Sequence, residues 1–338
     1  MAVKSKKVVL GCNVSDALSD IGAYNYFMVD HSAYPSCDNL LHVSRKDPGA
    51  KELVVALANA GFSLYKSEEH VSKFVRNSEI ANFWHRVKEG DFLTSDGLVY
   101  QVDLPANPAV SKLLVVFSSI GEDIFMSSLM RMFTFNFKSI AKYIPADAAV
   151  LRIADVGSVV GSFYLNNNSD RTFGDRVTAL IHKVSDDLRL SAENVTLYGA
   201  SKGGTAALYH GVTGGFNAVV VDPIVSDEYY ERVFADSHFT QGTFPETKQQ
   251  TFSRILESDR LLKQKISIIY SARSPQYSYI GSIVRESKLG RQFNYLNSLN
   301  PLINDHPDVG VQTVNIAVML INMSMYHLKP DTYNIEVV

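Results

Sequence analysis

A chain of 338 residues that is 46% hydrophobic carries enough apolar side chains to bury a large core, in one large domain or two. Its formal net charge of −3 excludes a nucleic-acid binder held by bulk positive charge. The two cysteines, Cys12 and Cys37, lack metal-ligand spacing, and so few in a chain this long fit a reducing compartment.

The basic start, with Lys4, Lys6 and Lys7, precedes an apolar run too short for a signal peptide. No apolar stretch reaches the roughly 20 residues of a transmembrane helix; residues 316–325 are apolar but short and interrupted by Asn322. A cytoplasmic protein is expected. The three lysines read as a solvated tail, with contact to the anionic inner face of a membrane as the alternative. Residues 8–12 and 24–29 read as strands. Residues 51–60 have helical spacing and stop at Gly61, followed by a strand at 62–65. Residues 70–87 carry a helical rhythm in Val71, Phe74, Val75, Ile80, Phe83 and Trp84. Residues 1–91 are therefore expected to form a small α/β appendage. They contain no phosphate loop, repeat or low-complexity tract, and no role is legible in them.

From residue 92 the pattern changes. A hairpin turns at Asp96-Gly97, and the chain breaks at 105–108. The continuous apolar run 113–117 has buried-strand character and ends in Ser118-Ser119-Ile120-Gly121. Further strands are expected at 148–153, 195–198, 216–221 and 266–270, with a helix at 173–190. Strands alternating with helices imply a doubly wound, mostly parallel sheet over 92–338, with reactive groups at the carboxyl ends of its strands.

The most informative stretch is Gly199-Ala200-Ser201-Lys202-Gly203, between a β-prone run and a run of helix formers. Strand, sharp turn and helix with a serine at the apex form the G-x-S-x-G nucleophile elbow. A serine hydroxyl is a weak nucleophile and must be held exposed beside a base. Glycines two before and two after let strand and helix approach. The backbone N–H of Lys202 then sits at a helix N-terminus, suited to an oxyanion. The competing reading is a tight turn with an ordinary N-capping serine.

Chain order places an acid and then a histidine after the serine. Of His210, His238, His306 and His327, His210 lies in the helix after the serine and is expected to point away, and His327 ends the last helix. His306, in a polar loop before the final helix, is the candidate base. The loop after the 266–270 strand, where the acid is usually found, contains no carboxylate. Asp222, directly after Val219-Val220-Val221, is the alternative, with Asp227 and Asp305 as weaker choices and a Ser–His dyad also open. The second oxyanion donor is expected from the backbone of Ser118, Ser119 or Ile120. Asp155, Tyr164 and Arg273 are further candidates for the mouth of the site. No metal site is expected.

The elbow, the Val-Phe-Ser-Ser strand end and the Asp-His-Pro loop resemble the α/β-hydrolase superfamily over roughly 92–338. Within it the chain is similar to XcbB/CpsF-type capsular polysaccharide biosynthesis proteins of bacteria. More distantly it resembles the acetyltransferase-like component of the accessory Sec export system. The resemblance implies a serine acyl-enzyme with Ser201 as nucleophile and His306 as base. It implies action on a surface glycan as O-acetyltransferase or esterase, and a complex with capsule biosynthesis enzymes. No bound cofactor is expected. No coenzyme A motif is visible, so the acyl donor stays open, acetyl-CoA among the choices. The alternative is a binding or assembly protein on the same scaffold, for which Ser201 and His306 should lie beyond hydrogen-bond reach. The side chain of Lys202 is expected to be exposed, with steering of an anionic substrate as a further option.

Overall fold

Strands without a polar face must be covered on both sides, and five such strands stand at the centre of this molecule. They are β7 (Lys112–Val116), β8 (Ala148–Ile153), β9 (Val195–Ala200), β10 (Asn217–Val221) and β11 (Ile266–Tyr270), all but continuously buried. The computed structural model describes residues 4–11, 14–106, 109–121, 123–328 and 334–337, except the side chains of 15–17. On one edge β12 (Asn294–Ser298) and β13 (Asn334–Val337) extend the sheet, and on the other β6 (Leu98–Asp103) and β5 (Leu93–Ser95) close it. The order is β13-β12-β11-β10-β9-β7-β8-β6-β5. Pairing is parallel from β13 to β8 and antiparallel for β6 and β5. Counted from the hairpin, the first eight strands run 1-2-4-3-5-6-7-8, the α/β-hydrolase order.

Alternation along each strand feeds two apolar layers. Leu113 and Val115 face the helices Phe173–Asp187, Lys202–Gly214 and Lys248–Leu256. Leu114 and Val116 face the other layer, with Val309, Leu320 and Ile321 from the helices His306–Gln312 and Val314–Met325. The hairpin turns as expected, with Asp96 (φ +46°) and Gly97 (φ +72°) both left-handed.

The N-terminal residues build a second sheet, β1 (Ser5–Val9), β2 (Tyr26–Asp30), β4 (Val71–Arg76) and β3 (Phe62–Glu68), in the order β1-β2-β4-β3. The helix Pro48–Asn59 packs on it, and its start three residues earlier than the spacing implied has a local cause. Asp47 caps it by accepting from the Ala50 N–H (2.7 Å), and Pro48 fits the first turn. Lys6 and Lys7 belong to edge strand β1, not to a solvated tail. Cys12 and part of the expected break at 105–108 lie outside the described residues.

The helix expected over 70–87 does not form. Val71, Phe74 and Val75 sit in β4, paired with both β2 and β3, and short helical turns follow at Asn77–Glu79, Ile80–Phe83 and His85–Lys88. Valine and phenylalanine at spacings of three and four fit either element, and two neighbouring strands decide for β. The β3–β4 turn also lacks the usual sequence signal, because Glu69 (φ +50°) and His70 (φ +60°) supply the left-handed residues in place of glycine. Among the described residues no helix is long and apolar enough to cross a membrane.

The two sheets are joined through shared packing. Val159, Val160 and Phe239 from the larger unit complete the core around Phe27, Leu57, Phe62 and Phe74. The buried Arg131 spans the junction, donating to the carbonyls of Leu64 (2.7 Å), Ser128 (3.0 Å) and Val159 (3.2 Å). Burial lowers its pKa to about 10, which still leaves it charged at neutral pH. Arg131→Met strands these carbonyls without donors. It is expected to cost about 2–4 kcal/mol, read as a lower urea midpoint at unchanged m-value; an unchanged midpoint contradicts the clasp.

Candidate active site

Ser201 sits between β9 and the helix Lys202–Gly214 at φ +57° and ψ −120°. A non-glycine residue in such backbone costs on the order of 1–3 kcal/mol, so its surroundings must impose it. The Ser201 N–H donates to the Val221 carbonyl on β10 (2.9 Å), and its own carbonyl accepts from the Thr205 N–H (3.0 Å). A Cβ on Gly199 would collide with the Gly203 backbone, and one on Gly203 would lie 2.6 Å from the Phe117 carbonyl oxygen. Gly199 thus lets β9 meet the helix, and Gly203 lets the same helix approach the end of β7. The Ser201 hydroxyl makes no cap to the helix, which removes the ordinary N-cap reading. It lies 2.8 Å from His306 Nε2 instead.

His306 is the first residue of the helix His306–Gln312, capped by Asp305, whose Oδ1 accepts the His306 N–H (2.7 Å). Arg273 holds the preceding loop by donating to the Pro301 carbonyl (3.2 Å). The other ring nitrogen, Nδ1, is 2.7 Å from Asp222 Oδ2. With Nδ1–H given to Asp222, Nε2 keeps the lone pair that accepts the serine proton. Asp222 follows β10 at φ +42°, and its N–H donates to the Ile269 carbonyl (2.8 Å). The loop after β11, which has no carboxylate, contributes Ser274 Oγ, donating to the same Asp222 oxygen (2.5 Å). Ser201, His306 and Asp222 are thus brought into one hydrogen-bonded line. The separation of serine and histidine required by the assembly reading is not found. Asp227 pairs with Lys248 (2.5 Å) and Asp305 caps a helix, so the rival acids are engaged elsewhere.

A cavity of about 860 Å³ opens onto Ser201 and His306. Its walls are largely apolar, with Ile120, Ile124, Phe137, Phe234 and Val311 among them. The first N–H groups of a helix have no internal partners, so the Lys202 amide, next to Ser201, has no helical acceptor, although the residue is buried and does not line the cavity. The serine pair expected opposite it is already engaged. The Ser118 N–H donates to the Tyr164 hydroxyl (2.9 Å) and its hydroxyl to the Thr134 carbonyl (2.8 Å); it is buried and does not line the cavity. The Ser119 N–H donates to Asn136 Oδ1 (2.7 Å). Ile120, which lines the cavity, is the remaining donor of the three, and its amide makes no hydrogen bond within the described residues.

The Lys202 side chain is the clearest departure from expectation. It is fully buried, with Nζ 2.8 Å from Asp155 Oδ2, in contact but without hydrogen-bond alignment. It therefore steers nothing from the surface. Asp155 also accepts the N–H groups of Ser162 (3.0 Å), Phe163 (3.0 Å) and Tyr164 (2.9 Å). The Tyr164 hydroxyl donates to the Ile153 carbonyl (2.9 Å). Asp155 and Tyr164 are thus buried struts beneath the elbow, and Arg273 braces a loop; none of the three lines the cavity. His210 is buried between Thr178 Oγ1 (2.8 Å) and the Tyr164 carbonyl (3.0 Å), and burial lowers its pKa to about 4. His327 reaches Asn194, away from the site. His238 does line the cavity, and nothing in the sequence marks it, since it sits in an aperiodic loop with no motif around it.

No protein-family model and no curated protein matches the chain. Among solved structures it is similar to the capsule O-acetyltransferase of Neisseria meningitidis serogroup A, at 17% identity and a TM-score of 0.49, over 68% of this chain and 94% of that one. It is similar to the fluorophosphonate-binding serine hydrolase F of Staphylococcus aureus, at 16% identity and a TM-score of 0.47, over 68% and 96%. It is also similar to a glycosylation-associated protein complex of Streptococcus agalactiae, at 14% identity and a TM-score of 0.49, over 75% of this chain and 50% of that one. The fold assignment itself stands on strand order and the elbow.

Replacing Lys202 by methionine leaves Asp155 charged, buried and without its cation. Lys202→Met is expected to destabilise by about 3–5 kcal/mol, measured by urea unfolding. A stability within 1 kcal/mol of wild type, roughly the worth of an exposed pair, would contradict the strut.

Proposed function

We propose that this protein is a serine-dependent acyl-transfer enzyme acting on a bacterial surface or capsular polysaccharide, as O-acetyltransferase or esterase. The observation that carries the chemistry is the line Ser201 Oγ–His306 Nε2–Asp222, at 2.8 and 2.7 Å, facing one cavity. The glycan part of the proposal rests on the sequence resemblance to capsule biosynthesis proteins.

In the first step Ser201 Oγ attacks the acyl carbonyl carbon while His306 Nε2 takes the hydroxyl proton. Asp222 stabilises the imidazolium and holds the ring. The negative oxygen that develops lies against the Lys202 and Ile120 amides. His306 then returns the proton to the leaving group, giving the acyl-enzyme. In the second step an acceptor hydroxyl, from sugar or water, gives its proton to His306 and attacks the acyl carbon; Ser201 leaves and regains its proton. Acetyl-CoA is among the donors open to this scheme, as is an acetylated glycan.

Labelling with a fluorophosphonate probe, followed by peptide mass spectrometry, tests this proposal. The expected result is an adduct on Ser201, absent in Ser201→Ala and formed at least about 10³-fold more slowly in His306→Ala. No wild-type adduct under conditions that label a known esterase contradicts it.

A further inference from the structure

Acyl-enzyme formation uses Ser201, His306, Asp222 and two backbone amides. The same cavity contains a second histidine outside that set. His238 is only 6% exposed, yet neither ring nitrogen bonds to the protein within the described residues, and neither is sealed from the cavity. A buried imidazole ordinarily has partners for its nitrogens. Its ring lies on Tyr230, with centroids 3.9 Å apart, and Tyr230 meets the His306 ring edge-on at 6.3 Å. His238 therefore sits one aromatic ring away from the catalytic base. Beside it, the Ser237 and Tyr230 hydroxyls also line the cavity without a protein partner among the described residues. Unpartnered hydrogen-bonding groups thus gather on one wall of a largely apolar cavity.

That wall is held from the helix Pro48–Asn59 and the turn before it. Arg45 donates to the carbonyls of Phe234 (2.7 Å) and Ala235 (3.1 Å), and Lys51 donates to Ala235 (3.1 Å). Phe239 is buried in the core of the smaller sheet. The segment presenting Ser237 and His238 is thus fastened on both sides, through left-handed backbone at Ala235, Asp236 and Phe239. Burial, together with the nearby charges of Lys248, His306 and Lys202, holds the His238 pKa well below the usual histidine value. A neutral ring offers one donor and one acceptor, which suits a hydroxyl in either sense.

We infer that His238 binds a second hydroxyl of a polyhydroxylated acyl acceptor, a sugar, and so directs the acyl group to that class of acceptor. The inference rests on the acyl-enzyme proposed above. In the step concerned, one acceptor hydroxyl attacks the acyl carbon and forms the new C–O bond. Its proton passes to His306, the bond to Ser201 Oγ breaks, and Ser201 regains the proton. His238 takes no proton; it holds a neighbouring hydroxyl so that the attacking one is aligned. An alcohol with one hydroxyl gains nothing from it.

The test is a competition experiment on the full chain. 4-Nitrophenyl acetate supplies the acyl group, and methyl glucoside and propanol are compared as acceptors by product analysis. His238→Phe keeps a ring against Tyr230 and removes both nitrogens; His238→Asn keeps a donor and an acceptor. The expected result is a fall of at least fivefold in the methyl glucoside to propanol transfer ratio in His238→Phe, with a smaller fall in His238→Asn. A fall of less than fivefold in His238→Phe, or an equal fall in the two variants, overturns the inference. A wild type that acylates Ser201 but transfers to neither alcohol also overturns it, while leaving an esterase intact. Absence of Ser201 acylation in the wild type removes the acyl-enzyme itself, and the inference with it.

Discussion

The close approach of β9 to the helix that follows it is the constraint on which the rest of the site depends. Gly199 allows it, Gly203 makes room for the Phe117 carbonyl beside the same turn, and Ser201 between them is held in a left-handed conformation that a side chain ordinarily avoids. That conformation turns the hydroxyl out of the helix and towards His306, and leaves the Lys202 amide without a helical acceptor at the helix N-terminus. The buried pair between Lys202 and Asp155 ties the first turn of the helix to the segment after β8. The strain at one residue is therefore met by rigid groups on several sides. The Ser201 hydroxyl is held towards His306 because the backbone around it has nowhere to relax.

The acid shows how a fixed chemical requirement is met from a different strand. A histidine acting as base needs a carboxylate behind Nδ1, and the loop after β11 has none. Asp222, at the end of β10, reaches the same ring nitrogen. Ser274, from the loop that lacks the acid, donates to the same carboxylate oxygen and helps fix its orientation. Neighbouring parallel strands end at one rim of the sheet, so a functional group can move one strand over with little change in where it points. The missing carboxylate, which had favoured a non-catalytic scaffold, thus has a structural counterpart.

Local chemistry made some of this legible in the sequence, and long-range partners hid the rest. The elbow is legible because its Gly-x-Ser-x-Gly pattern is contiguous, although only the Gly199 constraint is local and Gly203 is needed by Phe117 on another strand end. The central strands are legible because strands buried on both faces read as mostly apolar runs, broken only by single residues such as Arg152, Thr196 and Ser267. His306 follows from chain order and from its place before the last helix. The burial of Lys202 is not legible, since a lysine's exposure is decided by its partner, here Asp155 on another segment. The engaged Ser118 and Ser119 amides depend on Tyr164 and Asn136, 46 and 17 residues further along the chain. The strand at Val71–Arg76 was hidden by an apolar spacing that fits a helix, and it is settled by pairing with β2 and β3. His238 carries no local signal, because its place at the cavity comes from a loop anchored by Arg45 and Lys51, far away in the chain.

The central claim is that Ser201, His306 and Asp222 act as one unit, with Asp222 acting through the imidazole. A double-mutant cycle tests this most directly. The pre-steady-state acylation rate with 4-nitrophenyl acetate would be measured for wild type, Asp222→Asn, His306→Ala and the double variant. If Asp222 works only through His306, the double variant is no slower than His306→Ala, within about twofold. Independent effects, with the two single losses multiplying in the double variant, would contradict the relay.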